Sequence, residues 1–389
     1  MLKRRKILVT TGTRAEYGIL RPVLKKIHES KKLDLLLVVT GTHNSKKYGM
    51  TINEIKKDGF KIYKILRILP KSDTSYSITY SLAETITAFS KIFKKSKPDI
   101  NVIIGDRDEM LGSAIAAYHM NIPNAHIHGG DRSGGLDEYN RHAITKMSNI
   151  HFAATKESLS RILKLGENPK YVFQTGSTSV DEIKNKRITK KRDLEKSFDL
   201  KFNDNNVVLF AYHPVTTEIK KSVKEVQNIL KAIVELNCTC IIISPNSDAG
   251  RNRIFSEISK YSKKYKFLKV FPTVPRSDYL GLLKNSTLLV GNSSSGMIEA
   301  SYFDIPVINI GNRQKNRERG NNVIDVNGIS KKTIHKAFQK AIRIRKNKKK
   351  TLKSPFGYGN ASLKIVKKLE KLSLDKDLIQ KELMYWYVK

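Results

Sequence analysis

The chain has 389 residues, which is enough for two domains of ordinary size. Its 39% hydrophobic and 28% charged residues are typical of a soluble globular protein, and no apolar run approaches the ~18 residues that a membrane span needs. Lysine and arginine number 73 against 36 acidic residues, which gives a formal net charge of +37.

Two interpretations of this basic charge compete: binding of nucleic acid or an anionic surface, or lysines that merely cover a solvated surface. The lysines are spread along the whole length, without interleaved aromatic residues or a recognisable nucleic-acid-binding module. We therefore expect no specific nucleic-acid partner and no membrane partner. An anionic substrate would still associate faster in this positive field.

The N-terminal sequence MLKRRKILVTTGTR has a basic start and an apolar run that is too short for a signal peptide. It is typical of a first strand, and we expect a cytoplasmic protein. Cys238 and Cys240 lie two residues apart in an apolar run. This spacing on a strand does not suit a disulfide, so we predict buried free thiols.

In the first half, short apolar runs alternate with helical patterns. The predicted strands cover residues 7–10, 33–40, 60–66, 101–104, 124–127, 151–154 and 171–174, and the predicted helices cover residues 19–29, 72–94, 108–120, 138–148 and 156–165. Such alternation indicates a parallel, doubly wound sheet.

Ionisable groups cluster at the ends of the fourth and fifth predicted strands. They are Asp106, Arg107, His126, His128 and Asp131. Ligands of open parallel sheets bind just outside the carboxyl ends of the strands, so we expect these groups to face one cleft. The alternative is a pair of polar loops whose charges are merely solvated.

A candidate phosphate site follows the first predicted strand. Gly12 permits a tight turn there, and Arg14 stands at the mouth of the next helix. Free amide groups and the helix dipole favour an anion at such a position. The alternative is that Arg14 only forms a salt bridge with Glu16.

The pattern changes near residues 178–201, where charged residues crowd in and apolar periodicity fades. We place the interdomain region there and predict an N-terminal domain of residues 1–180, with the candidate carboxylates, and a C-terminal domain of residues 181–389. A second alternation follows, with predicted strands at 207–212, 239–244, 268–271, 287–290 and 306–310, and predicted helices at 222–236, 279–284, 297–303, 331–346 and 363–372. We expect the C-terminal helices to pack back on the body of the protein.

The sequence GNSSSG at 291–296 predicts a strand-to-helix turn that a ligand can approach closely. Glycines free the backbone there, and serine hydroxyls and helix amides can bind phosphate oxygens. Glu299 lies about one turn into the next helix, where a carboxylate can accept hydrogen bonds from vicinal ribose hydroxyls. A plain serine helix cap is the alternative. Further candidates at other strand ends are His213, Arg313, Arg317 and Arg319.

Taken together, seven motifs resemble the hydrolysing UDP-N-acetylglucosamine 2-epimerases. They are GTRAEYG near the N-terminus, GDRDEM at 105–110, HIHGG at 126–130, DEYNRHAITKMS at 137–148, HPVTT at 213–217, GNSSSGMIE at 291–299 and INIGNRQKNRERG at 308–320. These motifs span nearly the whole chain and follow each other in the same order as in the family. The resemblance implies an α/β fold of two Rossmann-like domains facing across a cleft, the GT-B architecture, with UDP bound by the C-terminal domain.

The resemblance also implies roles for individual residues. The positions that contact the UDP-sugar are Arg14, Arg107, His213, Asn246, Ser293, Ser294, Glu299 and Arg313. The candidates for catalysis are Asp106, Asp131, Asp137, His128 and His213. Asp131 departs from the family, which usually has glutamate there, and the missing methylene shifts the carboxylate by about 1 Å, enough to matter in a proton transfer.

The implied reaction is UDP-N-acetylglucosamine plus water giving N-acetylmannosamine and UDP, for sialic acid synthesis. It proceeds by elimination to a glycal and hydration with inversion at C2, without a cofactor or a metal. The family also implies a homo-oligomer, a dimer or a tetramer. Two alternatives stay open: the same chemistry on a UDP-linked diacetamido-trideoxy sugar of the legionaminic acid route, or a non-hydrolysing epimerase that yields UDP-N-acetylmannosamine.

Overall fold

The computed structural model describes residues 4–133, 136–185, 188–202, 207–245, 248–326, 330–346 and 354–384. The chain divides by its internal contacts into two compact units. The first unit comprises Met1–Arg132, Asp137–Lys184 and Phe356–Lys389, and the second unit comprises Ser133–Leu136 and Asn185–Pro355.

The first unit is built on a parallel sheet of seven strands. The strands are β1 (Arg5–Thr11), β2 (Leu33–Val39), β3 (Ile62–Ile65), β4 (Ile100–Ile104), β5 (Asn124–Ile127), β6 (Ile150–Ala153) and β7 (Val172–Gln174). Their spatial order is β3-β2-β1-β4-β5-β6-β7. All five residues of β4 are buried, as expected for a central strand that is covered on both faces.

Helices connect these strands and cover the sheet. They are α1 (Arg14–Glu29), α2 (Ile52–Lys57), α3 (Ser75–Ser96), α4 (Asp108–His119), α5 (Leu136–Lys146), α6 (Lys156–Lys164) and α7 (Thr178–Lys184). Successive residues of β1 serve different cores: Ile7 and Val9 pack with α1, whereas Leu8 packs with α3 and α4. This is the period-2 alternation of a strand between two helical layers.

The second unit repeats the architecture with a parallel sheet of six strands. The strands are β8 (Val207–Ala211), β9 (Thr239–Ile243), β10 (Leu268–Phe271), β11 (Leu288–Gly291), β12 (Val307–Ile310) and β13 (Val323–Val326), in the spatial order β10-β9-β8-β11-β12-β13. The helices are α8 (Lys191–Ser197), α9 (Ile219–Glu235), α10 (Arg251–Lys264), α11 (Arg276–Asn285), α12 (Ser294–Ile298) and α13 (Lys331–Lys346).

The chain then returns to the first unit with α14 (Ala361–Lys371) and α15 (Lys376–Ile379). Ile365 and Leu369 are fully buried in the core that contains Ile7 and Val9. The Asp181 carboxylate accepts hydrogen bonds from the first backbone amides of α14, at 3.0 and 2.8 Å. The predicted domain boundary at 180/181 assigned α14 and α15 to the C-terminal domain. In the structure, the apolar face of α14 completes the core of the first unit.

The structure confirms the predicted fold class, two Rossmann-like α/β domains with parallel sheets. Cys238 and Cys240 are free and buried, and burial raises the pKa of the Cys238 thiol to about 11. No helix in the described part of the chain combines the length and the hydropathy of a membrane-spanning segment.

Candidate active site

The first unit gathers its polar strand ends along one edge of the sheet. Strand β1 lies between β2 and β4, and β5 lies next to β4, so their carboxyl ends are neighbours. The turns that follow these strands carry the predicted residues of the first half of the chain. This is the edge at which parallel α/β sheets bind ligands.

Arg141 of α5 joins the ends of β4 and β5. One guanidinium nitrogen, Nη2, forms an ion pair with the Asp106 carboxylate, and Nη1 donates to the carbonyl oxygen of His128 at 2.8 Å. The side chain of Arg141 is only 6% exposed. A buried guanidinium with two fixed acceptors holds both turns in one geometry.

The three predicted catalytic carboxylates lie within electrostatic range of this guanidinium. Burial alone would lower the pKa of Arg141, yet the pKa is raised because several acidic groups lie near it. These groups are Asp106, Asp131, Asp137 and Glu138. The structure therefore brings together Asp106, Asp131 and Asp137 around one cation.

Asp131 lies at the end of a strained turn and is 1% exposed. His128 and Gly130 both have positive φ, +63° and +70°. Ser158 in the first turn of α6 donates its hydroxyl to Asp131 Oδ1 at 2.6 Å. A Cβ added at Gly130 would overlap the carbonyl oxygen of Ser158, so only glycine allows this close approach.

The histidines of this half are buried. Burial lowers the pKa of His126 to about 3, and its Nε2 donates to the carbonyl oxygen of Gly105 at 2.7 Å. Burial also lowers the pKa of His43 to about 3, and His43 lies between the hydroxyls of Thr11 and Thr51. Both rings are therefore neutral and brace the turns. His128 is 4% exposed and contributes its carbonyl oxygen to Arg141.

Arg14 does not have Glu16 as its ion-pair partner in the structure. The Arg14 Nε atom pairs with Glu54 Oε2 of α2 at 2.9 Å. Glu16 instead caps its own helix: its Oε2 atom accepts from the amides of Gly12 and Thr13 at 3.0 and 2.9 Å. These two amides follow β1, where the phosphate site is predicted, and the Glu16 carboxylate occupies them.

Two carboxylates and a guanidinium share the space beside this turn. Arg107 Nε contacts Glu109 Oε2 at 3.3 Å, and both Glu109 and Glu16 border Gly12. Burial raises the pKa of Glu16 to about 8; the positive charge of Arg107 opposes this shift and the negative charge of Glu109 adds to it. Sequence reasoning missed Glu109 and this role of Glu16.

In the second unit, Asn292 organises the serine-rich turn. Its Oδ1 atom accepts from the His213 amide at 2.7 Å, and its Nδ2 atom donates to the His213 carbonyl oxygen at 2.8 Å. Its own carbonyl oxygen accepts from Arg313 Nη1 at 3.4 Å and from Gln314 Nε2 at 3.1 Å. Asn292 thereby ties the end of β8 and the loop after β12 to the end of β11.

The turn itself depends on glycine and serine. Gly291 has φ +134°, and a Cβ there would overlap the carbonyl oxygen of Ala211. Ser293 caps α12, because its hydroxyl accepts from the Ser295 amide. The simple helix cap that the sequence allowed is thus present. Ser294, the first residue of α12, is half-buried.

Glu299 is 2% exposed and follows α12 directly. Its Oε1 atom accepts from Arg276 Nη2 at 2.6 Å. Sequence reasoning missed Arg276 because the two residues are 23 positions apart. Arg317 Nη1 donates to Gln314 Oε1 at 3.1 Å, and Arg319 Nε donates to the Arg317 carbonyl oxygen at 2.9 Å. Arg319 also forms an ion pair with Asp325 of β13.

The predicted ligand Asn246 lies outside the described residues. Among the residues that the structure does describe, no three His, Cys, Asp or Glu side chains are placed to hold a metal ion.

Two parallel-sheet domains with polar strand ends define the GT-B class of fold, and solved structures agree. A crystal structure of UDP-GlcNAc 2-epimerase from Neisseria meningitidis bound to UDP-GlcNAc superposes with a TM-score of 0.80 at 22% identity, covering 94% of this chain and 100% of the other. The chain belongs to the UDP-N-acetylglucosamine 2-epimerase family, whose model matches residues 25–370.

Two curated relatives carry the word hydrolyzing in their names. The UDP-N,N'-diacetylbacillosamine 2-epimerase of Legionella pneumophila is 38% identical over 97% of this chain and 98% of its own length. The GDP/UDP-N,N'-diacetylbacillosamine 2-epimerase of Campylobacter jejuni is 39% identical over 83% of this chain and 85% of its own length. The family inferred from the motifs, the hydrolysing UDP-sugar 2-epimerases, is confirmed.

Proposed function

We propose that this protein cleaves a UDP-linked 2-acetamido sugar with water and inverts the configuration at C2, releasing UDP and the free sugar. The single observation that carries the proposal is the cluster of Asp106, Asp131 and Asp137 around Arg141 at the carboxyl edge of the sheet. Carboxylates in unlike surroundings can divide the acid and base roles that this reaction needs.

The substrate that we propose first is UDP-N,N'-diacetylbacillosamine. It is supported by the names of the relatives at 38% and 39% identity. UDP-N-acetylglucosamine is the second candidate, because the motifs resemble enzymes of that substrate and the family model bears its name. Both sugars carry the acetamido group at C2 and the diphosphate at C1, so the same chemistry applies to both.

The hard step is loss of the C2 proton, which is barely acidic in the ground state. Cleavage of the anomeric C–O bond therefore runs ahead and gives the ring oxocarbenium character, which acidifies C2. One carboxylate of the cluster takes the proton and leaves a glycal. Another delivers a proton and directs water when the glycal is hydrated on the opposite face.

The departing diphosphate needs positive and hydrogen-bonding partners. We assign this role to Arg14, Arg107, His213, Asn246, Ser293, Ser294 and Arg313, with Glu299 on the nucleoside. Preorganised donors of this kind are typically worth about 3–4 kcal/mol each in the transition state. A homo-oligomer, a cytoplasmic location and the absence of nucleic-acid and membrane partners stay predictions.

The test is proton NMR in deuterated water with each of the two UDP-sugars. We expect one of them to give UDP and a free 2-acetamido sugar with inverted configuration and deuterium at C2. A product that is still linked to UDP would assign the protein to the non-hydrolysing reaction. Failure of both sugars to react would overturn the proposal.

The carboxylates are tested by Asp106→Asn and Asp131→Asn. Each amide keeps the size of the side chain and removes the proton acceptor, so we expect turnover to fall by about 100- to 10,000-fold. UDP affinity, measured by calorimetry, should change by less than about threefold. Full activity in both variants would remove these residues from the mechanism.

A further inference from the structure

A buried ion pair stands beside the serine-rich turn of the second unit. Arg276, the first residue of α11, donates from Nη2 to Glu299 Oε1 at 2.6 Å. The two side chains are 10% and 3% exposed. Arginine and a carboxylate in this setting normally make two parallel hydrogen bonds.

The second hydrogen bond of this pair is not formed. Arg276 Nε and Glu299 Oε2 are both buried and have no hydrogen-bond partner among the described residues. Removing such atoms from water is costly, and a buried ion pair repays the cost only when its other hydrogen bonds are made. The two atoms without a partner are a hydrogen-bond donor and a hydrogen-bond acceptor of the same ion pair.

A hydroxyl group satisfies both kinds of atom. It donates its hydrogen to a carboxylate oxygen and accepts a hydrogen bond on its own oxygen. An anion such as phosphate would satisfy Arg276 but would be repelled by Glu299. A second carboxylate would serve only Arg276, and an ammonium group would serve only Glu299. The pair is therefore suited to a group that both donates and accepts, and each hydroxyl of a vicinal diol is such a group.

Tyr279 lies near both the ion pair and the serine-rich turn. The Tyr279 hydroxyl hydrogen-bonds to Ser295 Oγ, which lies 3.1 Å from Ser293 Oγ. Burial, together with the negative charge of Glu299, raises the pKa of Tyr279 to about 12, so its hydroxyl stays neutral. Tyr279 thus hydrogen-bonds to the candidate diphosphate turn and lies within electrostatic range of the Arg276–Glu299 pair.

We propose that Arg276 is a positioning residue for a ribonucleotide. It holds the Glu299 carboxylate so that Oε2 meets a ribose hydroxyl, and it makes binding depend on the 2'-hydroxyl group of the nucleotide. This inference rests on the proposed function, because it takes UDP as the group bound by the second unit.

The experiment compares the affinities of UDP and 2'-deoxy-UDP by calorimetry on the full-length protein. We expect the wild type to prefer UDP by about tenfold or more, the value of a hydrogen bond to a charged group. Arg276→Lys keeps the charge and loses the planar fork. In this variant the preference should fall below about threefold, while 2'-deoxy-UDP binds about as it does to the wild type.

Arg345→Lys is the matched control, because Arg345 in α13 donates from Nη1 to the Asp304 carbonyl oxygen at 3.3 Å and has no part in the site. It should keep the wild-type preference. A second variant guards against misfolding: Arg276→Gln combined with Glu299→Gln removes both charges, so no unpaired charge is buried. Its preference should also approach one.

An unchanged preference in Arg276→Lys, or an equal loss of affinity for both nucleotides, would overturn the positioning role. Equal binding of both nucleotides by the wild type would also overturn the positioning role, but it would leave the proposed function intact. If the wild type does not bind UDP at all, the proposed function and this inference fall together.

Discussion

Arg141, which was not among the predicted substrate-binding or catalytic residues, fixes the positions of two turns of the candidate site. It pairs with Asp106 and with the carbonyl oxygen of His128, which lie on different turns. Its spacing from Asp137, four residues along α5, places the two on one face of the helix. That spacing was the available signal, but its partners are 35 and 13 residues away in sequence.

Arg141→Lys should lower turnover by at least about 100-fold, because a lysine cannot bridge both acceptors and a misplacement of about 1 Å costs that much. UDP affinity should change by less than about threefold. Steady-state kinetics with calorimetry of UDP measures both quantities.

The control for this prediction is Arg21→Lys, since Arg21 forms an ion pair with Asp58 elsewhere in the first unit. Arg21→Lys should keep turnover within about twofold of the wild type, because the Arg21–Asp58 ion pair lies outside the candidate site. Equal turnover of Arg141→Lys and the wild type would contradict the bridging role.

Glu16 should make the free energy of unfolding depend on pH. The folded state raises its pKa from 4.5 to about 8, chiefly by burial. The folded protein therefore keeps a proton that the unfolded chain releases. The resulting stabilisation is complete below pH 4.5 and is lost as the pH rises to about 8.

Glu16→Gln tests this, because glutamine still accepts the amides of the capping box and does not titrate. Urea denaturation should show that the variant gains stability relative to the wild type between pH 5 and 8. The gain should be at least ~1 kcal/mol, since one pKa unit corresponds to about 1.4 kcal/mol. A constant difference over this range would count against the raised pKa.

At the scale of elements, strand-to-helix turns position the site, and the turn between β11 and α12 is tightly constrained. Gly291 has φ +134° and no room for a Cβ. Gly291→Ala combines backbone strain with overlap, so we expect a loss of at least ~3 kcal/mol of unfolding free energy. Thermal denaturation followed by circular dichroism measures this loss.

Gly59→Ala is the matched control for the turn. Gly59 also has a positive φ, +80°, but nothing lies within 4 Å of an added Cβ. Its substitution should cost only the backbone strain, about 1–2 kcal/mol. Similar losses in the two variants would mean that the overlap with Ala211 is relieved by a small shift.

Most of the elements that carry the site could be predicted from the sequence, because an apolar run followed by glycine marks β4, β5 and β11 clearly. The pattern did not identify β13 (VIDV), α8 or α10. In α8 only Leu194 is buried, and because most of the other residues are charged, the sequence shows no apolar periodicity there. Elements as short as β13 and α8, with four and seven residues, depend on tertiary packing rather than on local periodicity.

The side-chain pairs of the site could not be predicted for a different reason. Arg14 meets Glu54 across 40 residues, and Arg276 meets Glu299 across 23. Such pairs depend on strand order and helix register together. Motif resemblance locates the residues along the chain but says nothing about which charges neutralise each other.

At the scale of the whole molecule, the first unit is discontinuous in sequence. Helix α14 follows the entire second unit along the chain and then completes the core around β1 and α1. Ile365→Ala should therefore destabilise the first unit by about 2–5 kcal/mol. Hydrogen exchange should show faster exchange in β1 and α1 and unchanged exchange in β8 and β11.

Leu363→Ala provides the comparison, because Leu363 lies on the same helix and is 39% exposed. It should change exchange rates little in either unit. Faster exchange in the second unit of Ile365→Ala would mean that the two units unfold as one cooperative block.

The return of α14 also sets the order in which the two units can mature during synthesis. The described strands and helices of the second unit from β8 to α13 are all synthesised before Ala361–Lys371. At roughly 5–20 residues per second, the first unit waits on the order of ten seconds with its core around Val9 unsealed. During that interval an exposed apolar groove on nascent protein must be kept from other chains, so the connectivity of this fold creates a period in which a chaperone matters most.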